Sequence, residues 1–92
     1  MPRFSVIVPA YNATATVRET LDALEAQEFR DWECVVVDDG STDDTATIIS
    51  EYAERDSRFK LVQQANTGTA GAYRTGVEQA RADLIVICAA DD

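Results

Sequence analysis

The sequence predicts an α/β domain in which four short parallel strands alternate with three helices, and three observations lead there. Apolar runs at 4–8, 32–37, 59–62 and 84–88 are separated by stretches whose apolar residues recur at helical spacing. The Val35-Val36-Val37 run has the composition of a strand covered on both faces, as parallel strands are. That run stops abruptly at Asp38-Asp39-Gly40, followed by Ser41-Thr42-Asp43-Asp44-Thr45, so a strand delivers carboxylates to the edge where open α/β sheets bind ligands.

Each element follows in order. Phe4 to Val8 is an apolar strand closed by Pro9, and Tyr11-Asn12-Ala13-Thr14 reads as a loop. Val17, Leu21 and Leu24 recur at i, i+4 and i+7 opposite Arg18, Glu19, Asp22 and Glu25, predicting a helix from about Thr16 to Ala26. The second strand covers Trp32 to Val37, and Gly40 permits a sharp exit. Ser41 with Asp44 three residues on predicts a capping box, after which Ile48, Ile49 and Tyr52 form a buried stripe. Phe59 to Val62 is a short third strand. After the loop 64–69, Ala72, Gly76, Val77 and Ala80 predict a small-residue helix face, and Leu84 to Cys88 a fourth strand.

The order βαβαβαβ implies a Rossmann-like parallel sheet with right-handed crossovers. In such sheets the chain winds outward and then jumps back past the first strand, which predicts strand order 3-2-1-4. Pro9-Ala10-Tyr11-Asn12, Asp38-Asp39 and Asp91-Asp92 then converge on one crevice at the carboxyl ends of the strands.

Composition narrows the partners. The chain has 92 residues and 46% hydrophobic content, which suits one small domain. Its formal charge of −9, from 17 acidic and 8 basic residues, argues against binding nucleic acid or an anionic membrane surface, and requires a cation beside any phosphate ligand. No apolar run approaches the roughly 20 residues that span a bilayer, so no membrane contact is expected from this segment. Cys34 and Cys88, without a signal peptide before them, predict reduced buried thiols and a cytoplasmic location.

The residue types at the crevice suit a nucleotide. Tyr11 can lay its ring against a base while Pro9 and Ala10 keep the backbone close. Asp91 and Asp92 are carboxylates of the kind that a hard divalent cation bridging diphosphate oxygens requires. Asp38 serves either the ligand or the ordering of its own loop. Arg74, near the start of the third helix, either reaches a phosphate or base or pairs with Glu78 one turn on. Gly68, Gly71 and Gly76 fit neither phosphate-loop template, and close backbone packing explains them better.

Taken together, Ser5-Val6-Ile7-Val8-Pro9-Ala10-Tyr11-Asn12, Val35 to Thr45 with its Asp-Asp-Gly-Ser-Thr core, Asn66-Thr67-Gly68 leading to Arg74-Thr75-Gly76, and terminal Ala90-Asp91-Asp92 resemble the nucleotide-binding domain of glycosyltransferase family 2, with the GT-A fold. The resemblance covers essentially the whole chain. It implies transfer, with inversion, of a sugar from a nucleotide diphosphate sugar, commonly uridine-linked, to an acceptor hydroxyl of a glycan, lipid or small molecule, with Mn²⁺ or Mg²⁺ at the acidic motif. It further implies that Pro9, Ala10, Tyr11, Asn12, Asp39, Arg74 and Asp91 bind the nucleotide, that Tyr11 contacts uracil and Asp39 accepts its ring N–H, and that Asp91 and Asp92 hold the metal. Two positions depart from the common pattern: Ala89 stands where the first Asp of Asp-x-Asp-Asp is usual, and many relatives carry the arginine where Tyr73 stands.

In the family the general base lies beyond the acidic motif, which predicts that residues 1–92 are the donor half of a larger enzyme, inactive alone. An uncovered fourth strand would favour self-association into a homo-oligomer. The alternative is a non-catalytic domain of the same fold serving in assembly, which Ala89 favours. A phosphoacceptor domain would place its acid pair after the first strand, where Pro9-Ala10-Tyr11-Asn12 stands, and a nucleotidyltransferase would need a Gly-rich, basic first loop.

Overall fold

A computed structural model describes residues 2–28 and 30–88. Its elements are β1 (Phe4–Ala10), α1 (Thr14–Glu25), β2 (Trp32–Asp39), α2 (Thr45–Arg55), β3 (Phe59–Gln64), α3 (Thr69–Gln79) and β4 (Leu84–Ile87). All strand pairs are parallel and the sheet order is β3-β2-β1-β4, as expected. The chain winds outward from β1 to β3, so right-handed crossovers place α1 and α2 on one face; the return from β3 to β4 reverses direction and puts α3 on the other.

Two apolar clusters result. Val6, Val8, Cys34 and Val36 meet Val17 and Leu21 of α1 and Ile48, Ile49 and Tyr52 of α2, with Trp32 and Phe59 stacked edge to face at 5.4 Å. On the opposite face Ile7, Val35 and Val37 meet Ala72 of α3. Every residue of β2 is buried, which is why its composition lacks polar alternation. Gly76 is the closest approach of α3 to the sheet: a Cβ there would lie 2.3 Å from Ile7 Cγ2.

Several boundaries differ from the sequence reading, each for a local reason. β1 continues through Pro9 to Ala10. The missing N–H is tolerated because Ile7 directs its carbonyl to Cys88 on the β4 side, so Pro9, two residues on, faces that side beyond the last paired position, Ile7 opposite Ile87. β2 extends to Asp39, so Asp38 and Asp39 both lie inside the strand and are buried. β3 extends past Val62 to Gln64, which pairs with Asp39. The expected capping box does not form. α2 starts at Thr45 with no side-chain cap; Ser41 Oγ accepts the Asn12 N–H and Asp43 Oδ1 takes the Thr45 N–H. Val77, expected on the buried face of α3, is exposed, because the helix packs through Ala72 and Gly76.

At the amino-terminal edge of the sheet a buried carboxylate latches the crossover into β4. Glu33 Oε2 accepts the Ser5 hydroxyl at 2.5 Å and the Arg81 N–H at 2.6 Å, Glu33 Oε1 faces Arg81 Nε at 3.4 Å, and Ser5 Oγ accepts the Ala82 N–H. Burial raises the Glu33 pKa, but these bonds outweigh it and leave the carboxyl below its usual range. β4 is an edge strand with Leu84, Val86 and Ile87 exposed. Cys34 is buried and Cys88 half-buried, and both are free thiols. No helix is long and apolar enough to cross a membrane among the described residues.

Two outcomes follow from this packing. Gly76→Ala should destabilise the domain by about 1–3 kcal/mol, because Ile7 cannot withdraw without opening the sheet–helix interface, as urea unfolding would show. Glu33→Gln, which removes one acceptor and aims an amide donor at Arg81, should cost about 1–3 kcal/mol at neutral pH. Since the Glu33 pKa is lowered on folding, its contribution is present above the ordinary carboxylate pKa and lost as pH falls through the folded value. The gap between wild type and variant should therefore narrow on acidification.

Candidate functional site

Side chains alternate along a strand, so the two carboxylates ending β2 must point to opposite faces. Asp38 turns to the α1–α2 side, where Oδ1 accepts the Ser41 N–H at 3.1 Å and orders its own turn. Gly40 follows at φ +79°, and a Cβ there would come within 2.8 Å of Asn66 N, so the β3–α3 loop can close over this turn only because no side chain intervenes.

Asp39 turns to the α3 side and is engaged on both oxygens. Oδ1 accepts Gln64 Nε2 and Thr67 N, each at 2.9 Å, and the Thr67 hydroxyl at 3.2 Å; among the described residues Oδ2 accepts only Gly68 N, at 2.9 Å. Burial raises the carboxyl's pKa, yet the bonds from Gln64, Thr67 and Gly68 outweigh it and hold the group below its usual range. Thr67 and Gly68 immediately precede α3, so the amino end of that helix, a natural site for a phosphate, already carries an internal anion.

The β1–α1 loop is tied to the β2–α2 loop by a second network. Asn12 adopts φ +47°, a left-handed conformation asparagine tolerates, and its N–H reaches Ser41 Oγ at 2.9 Å while its Oδ1 accepts Thr42 N at 2.8 Å. Ala13 N donates to Thr45 Oγ1, which in turn donates to Asp43 Oδ1, and Thr14 Oγ1 donates to Asp43 Oδ2 at 2.6 Å. The hydroxyls of Thr14 and then Thr45 pull the Asp43 pKa down to about 2. Between the buried Ala10 and the clamped Asn12, Tyr11 is 44% exposed, a ring held on a rigid rim.

The structure thus brings Pro9, Ala10, Tyr11, Asn12 and Asp39 to one edge and assigns Asn12 an additional clamping role. Arg74 is exposed on α3 and makes no ion pair with Glu78. Ala89, Asp91 and Asp92 lie outside the described residues. Among the described residues no group of three His, Cys, Asp or Glu side chains is placed to hold a metal ion. Sequence reasoning gave no site role to Asp43, Thr45, Gln64 or Thr67: Asp43, Thr45 and Thr67 stood inside the motif stretches, and Gln64 was placed in the 64–69 loop.

Residues 5–92 match the family model described as glycosyl transferase family 2. The chain belongs to that family. It is 38% identical over 92 residues to the uncharacterized glycosyltransferase EpsJ of Bacillus subtilis, covering 100% of this chain and 27% of that protein. S. aureus TarS 1-349, solved in complex with UDP-GlcNAc, superposes with a TM-score of 0.90 at 34% identity, over 97% of this chain and 26% of that one. The mannosyltransferase PcManGT of Pyrobaculum calidifontis, in complex with GDP-Man and Mn²⁺, gives 0.89 at 36% identity, over 98% and 28%. The family 2 chain described here therefore spans about a quarter of the length of the relatives it matches, and its 3-2-1-4 layer has the GT-A arrangement.

The Asp43 clamp gives a pH test. A folded pKa of about 2 contributes stability above the ordinary aspartate value of about 3.9, and that contribution is lost as pH falls through about 2. Asp43→Asn should lower the melting temperature at pH 6 and flatten its decline between pH 4 and pH 2, measured by circular dichroism.

Proposed function

We propose that this family 2 chain is the donor half of a glycosyltransferase and binds a nucleotide diphosphate sugar, uridine-linked, at the carboxyl edge of its sheet. The observation that carries this reading is the ordering of three loops at this edge, 11–14 by hydrogen bonds to 40–45 and 65–68 by hydrogen bonds to Asp39, the residue from which 40–45 departs. Pre-ordered loops do not have to be ordered by the ligand, which favours affinity.

In this reading the base stacks on Tyr11, with Pro9, Ala10 and Asn12 forming the wall behind it. Asp39 Oδ1 is filled by three donors, whereas Oδ2 takes one and keeps acceptor capacity for a ring N–H. Uracil presents such an N–H where cytosine presents an acceptor, so the carboxylate discriminates between them. Arg74, with no ion pair among the described residues, is the cation available to the phosphates from α3.

The internal anion at the start of α3 closes that helix end to the diphosphate, and the net charge of −9 adds no compensation. Asp91 and Asp92, three and four residues after Cys88 in sequence, are a donor set that fits Mn²⁺ or Mg²⁺. Such an ion, when bound, neutralises charge on the departing nucleotide diphosphate. We assign the acceptor pocket and the general base for inversion to sequence outside these 92 residues, in keeping with relatives several times longer.

Calorimetric titration of UDP with Mn²⁺ tests the reading. Binding should be lost with chelator and in the Asp91→Ala, Asp92→Ala double variant, and Tyr11→Ala should weaken it about tenfold, or ~1.4 kcal/mol. Absence of binding by the folded full-length protein would instead favour the non-catalytic assembly domain that Ala89 suggests.

A further inference from the structure

Gln64 is the last residue of β3 and lies directly opposite Asp39 across the β2–β3 ladder, on the α3 face. Its amide has a dictated orientation. A carboxylate only accepts, so Nε2 must face Asp39 Oδ1 at 2.9 Å, and the same nitrogen reaches Thr67 Oγ1 at 2.9 Å. Oε1 then points the other way and receives the Thr75 hydroxyl at 2.5 Å. One half-buried side chain therefore touches the end of β2, the 65–68 loop and α3 at the residue next to Arg74. Thr67 closes a ring, since its hydroxyl accepts from Gln64 and donates to Asp39.

We propose that Gln64 is the positioning residue of the base site: by filling Asp39 Oδ1 from one side and Thr75 from the other, it holds the carboxylate in the rotamer that leaves Oδ2 for the base. This rests on the reading of Asp39 as the base acceptor. Gln64 does not touch the nucleotide. It sets uridine selectivity through Asp39 and couples that selectivity to the helix bearing Arg74.

Two substitutions separate positioning from bulk structure. Gln64→Met keeps the length of the side chain and removes all three polar bonds, to Asp39, Thr67 and Thr75. It should reduce UDP affinity about tenfold while leaving CDP affinity unchanged, so the UDP-to-CDP ratio collapses by the same factor. Gln64→Glu sets a second carboxylate against Asp39, and a like-charged pair raises the pKa of the pair. Once protonated, the new carboxyl again donates to Asp39. UDP affinity relative to wild type should therefore be low at pH 8 and recover toward wild type by pH 5.5, a rescue within one folded sample that a merely structural role does not produce.

The measurement is competition calorimetry of UDP and CDP with Mn²⁺ on the full-length protein, each variant normalised to wild type at the same pH, with thermal melts alongside. Wild type that binds UDP, together with variants of unchanged affinity and ratio at every pH, overturns the inference alone. Equal loss of UDP and CDP binding in Gln64→Met also overturns it, because the effect is then on the fold. Wild type that binds neither nucleotide overturns the donor-site reading and this inference with it.

Discussion

A buried carboxylate must be satisfied where it stands, and the way Asp39 is satisfied shapes the carboxyl edge of the sheet. The donors it recruits are two backbone amides, an amide side chain and a hydroxyl, from the last residue of β3 and the loop that leads to α3. Backbone amides cannot be moved without moving the chain, so the carboxylate determines where the loop runs and where α3 begins. Gly40 makes this possible by leaving room for Asn66 to lie against the turn. The rim on the other side of the sheet obeys the same logic with Asp43 at its centre, where two threonine hydroxyls and an amide converge on an exposed carboxylate.

The two faces of the sheet divide the work. α1 and α2 bring large apolar residues and an aromatic cluster, and their exposed pairs, Arg18 with Glu51 and Arg55 with Glu25, add little to stability. α3 fully buries only small residues, with Tyr73 partly buried beside them. It lies against Ile7 through Ala72 and Gly76, and this closeness carries Thr75 to within bonding distance of Gln64. At the opposite edge, Glu33 secures the return of the chain from α3 to β4. Polar anchoring at both ends of the α3 face thus compensates for a thin apolar contact.

How much of this could be read beforehand depends on whether the signal was periodic. Strand and helix positions were legible because burial imposes a 3.6-residue period on helices, which Val17, Leu21, Ile48 and Ile49 obey, and continuous apolar runs on strands covered on both faces, such as Val35 to Val37. Strand order followed from the winding of such sheets, outward from the first strand and then back past it. The loop chemistry was not legible. Ser41 has the local pattern of a helix cap, yet Asn12, 29 positions earlier, claims its oxygen. Gln64 reads as the start of a loop until its neighbour across the ladder is known.

The sequence by itself determined the α/β class, the strand order, the family and the position of Pro9 to Asn12 and of Asp38 and Asp39 at the carboxyl ends of the first two strands, because patterning, chirality and motif order are all carried along the chain. Tertiary structure alone decided which partner each polar side chain takes. Asp38 and Asp39 are adjacent in sequence and chemically identical, but the strand's alternation sends one to its own turn and the other to a loop 28 residues away. Hydrogen bonds are directional and short-ranged, so the role of each carboxylate is settled only when the elements that supply its donors have been packed against each other.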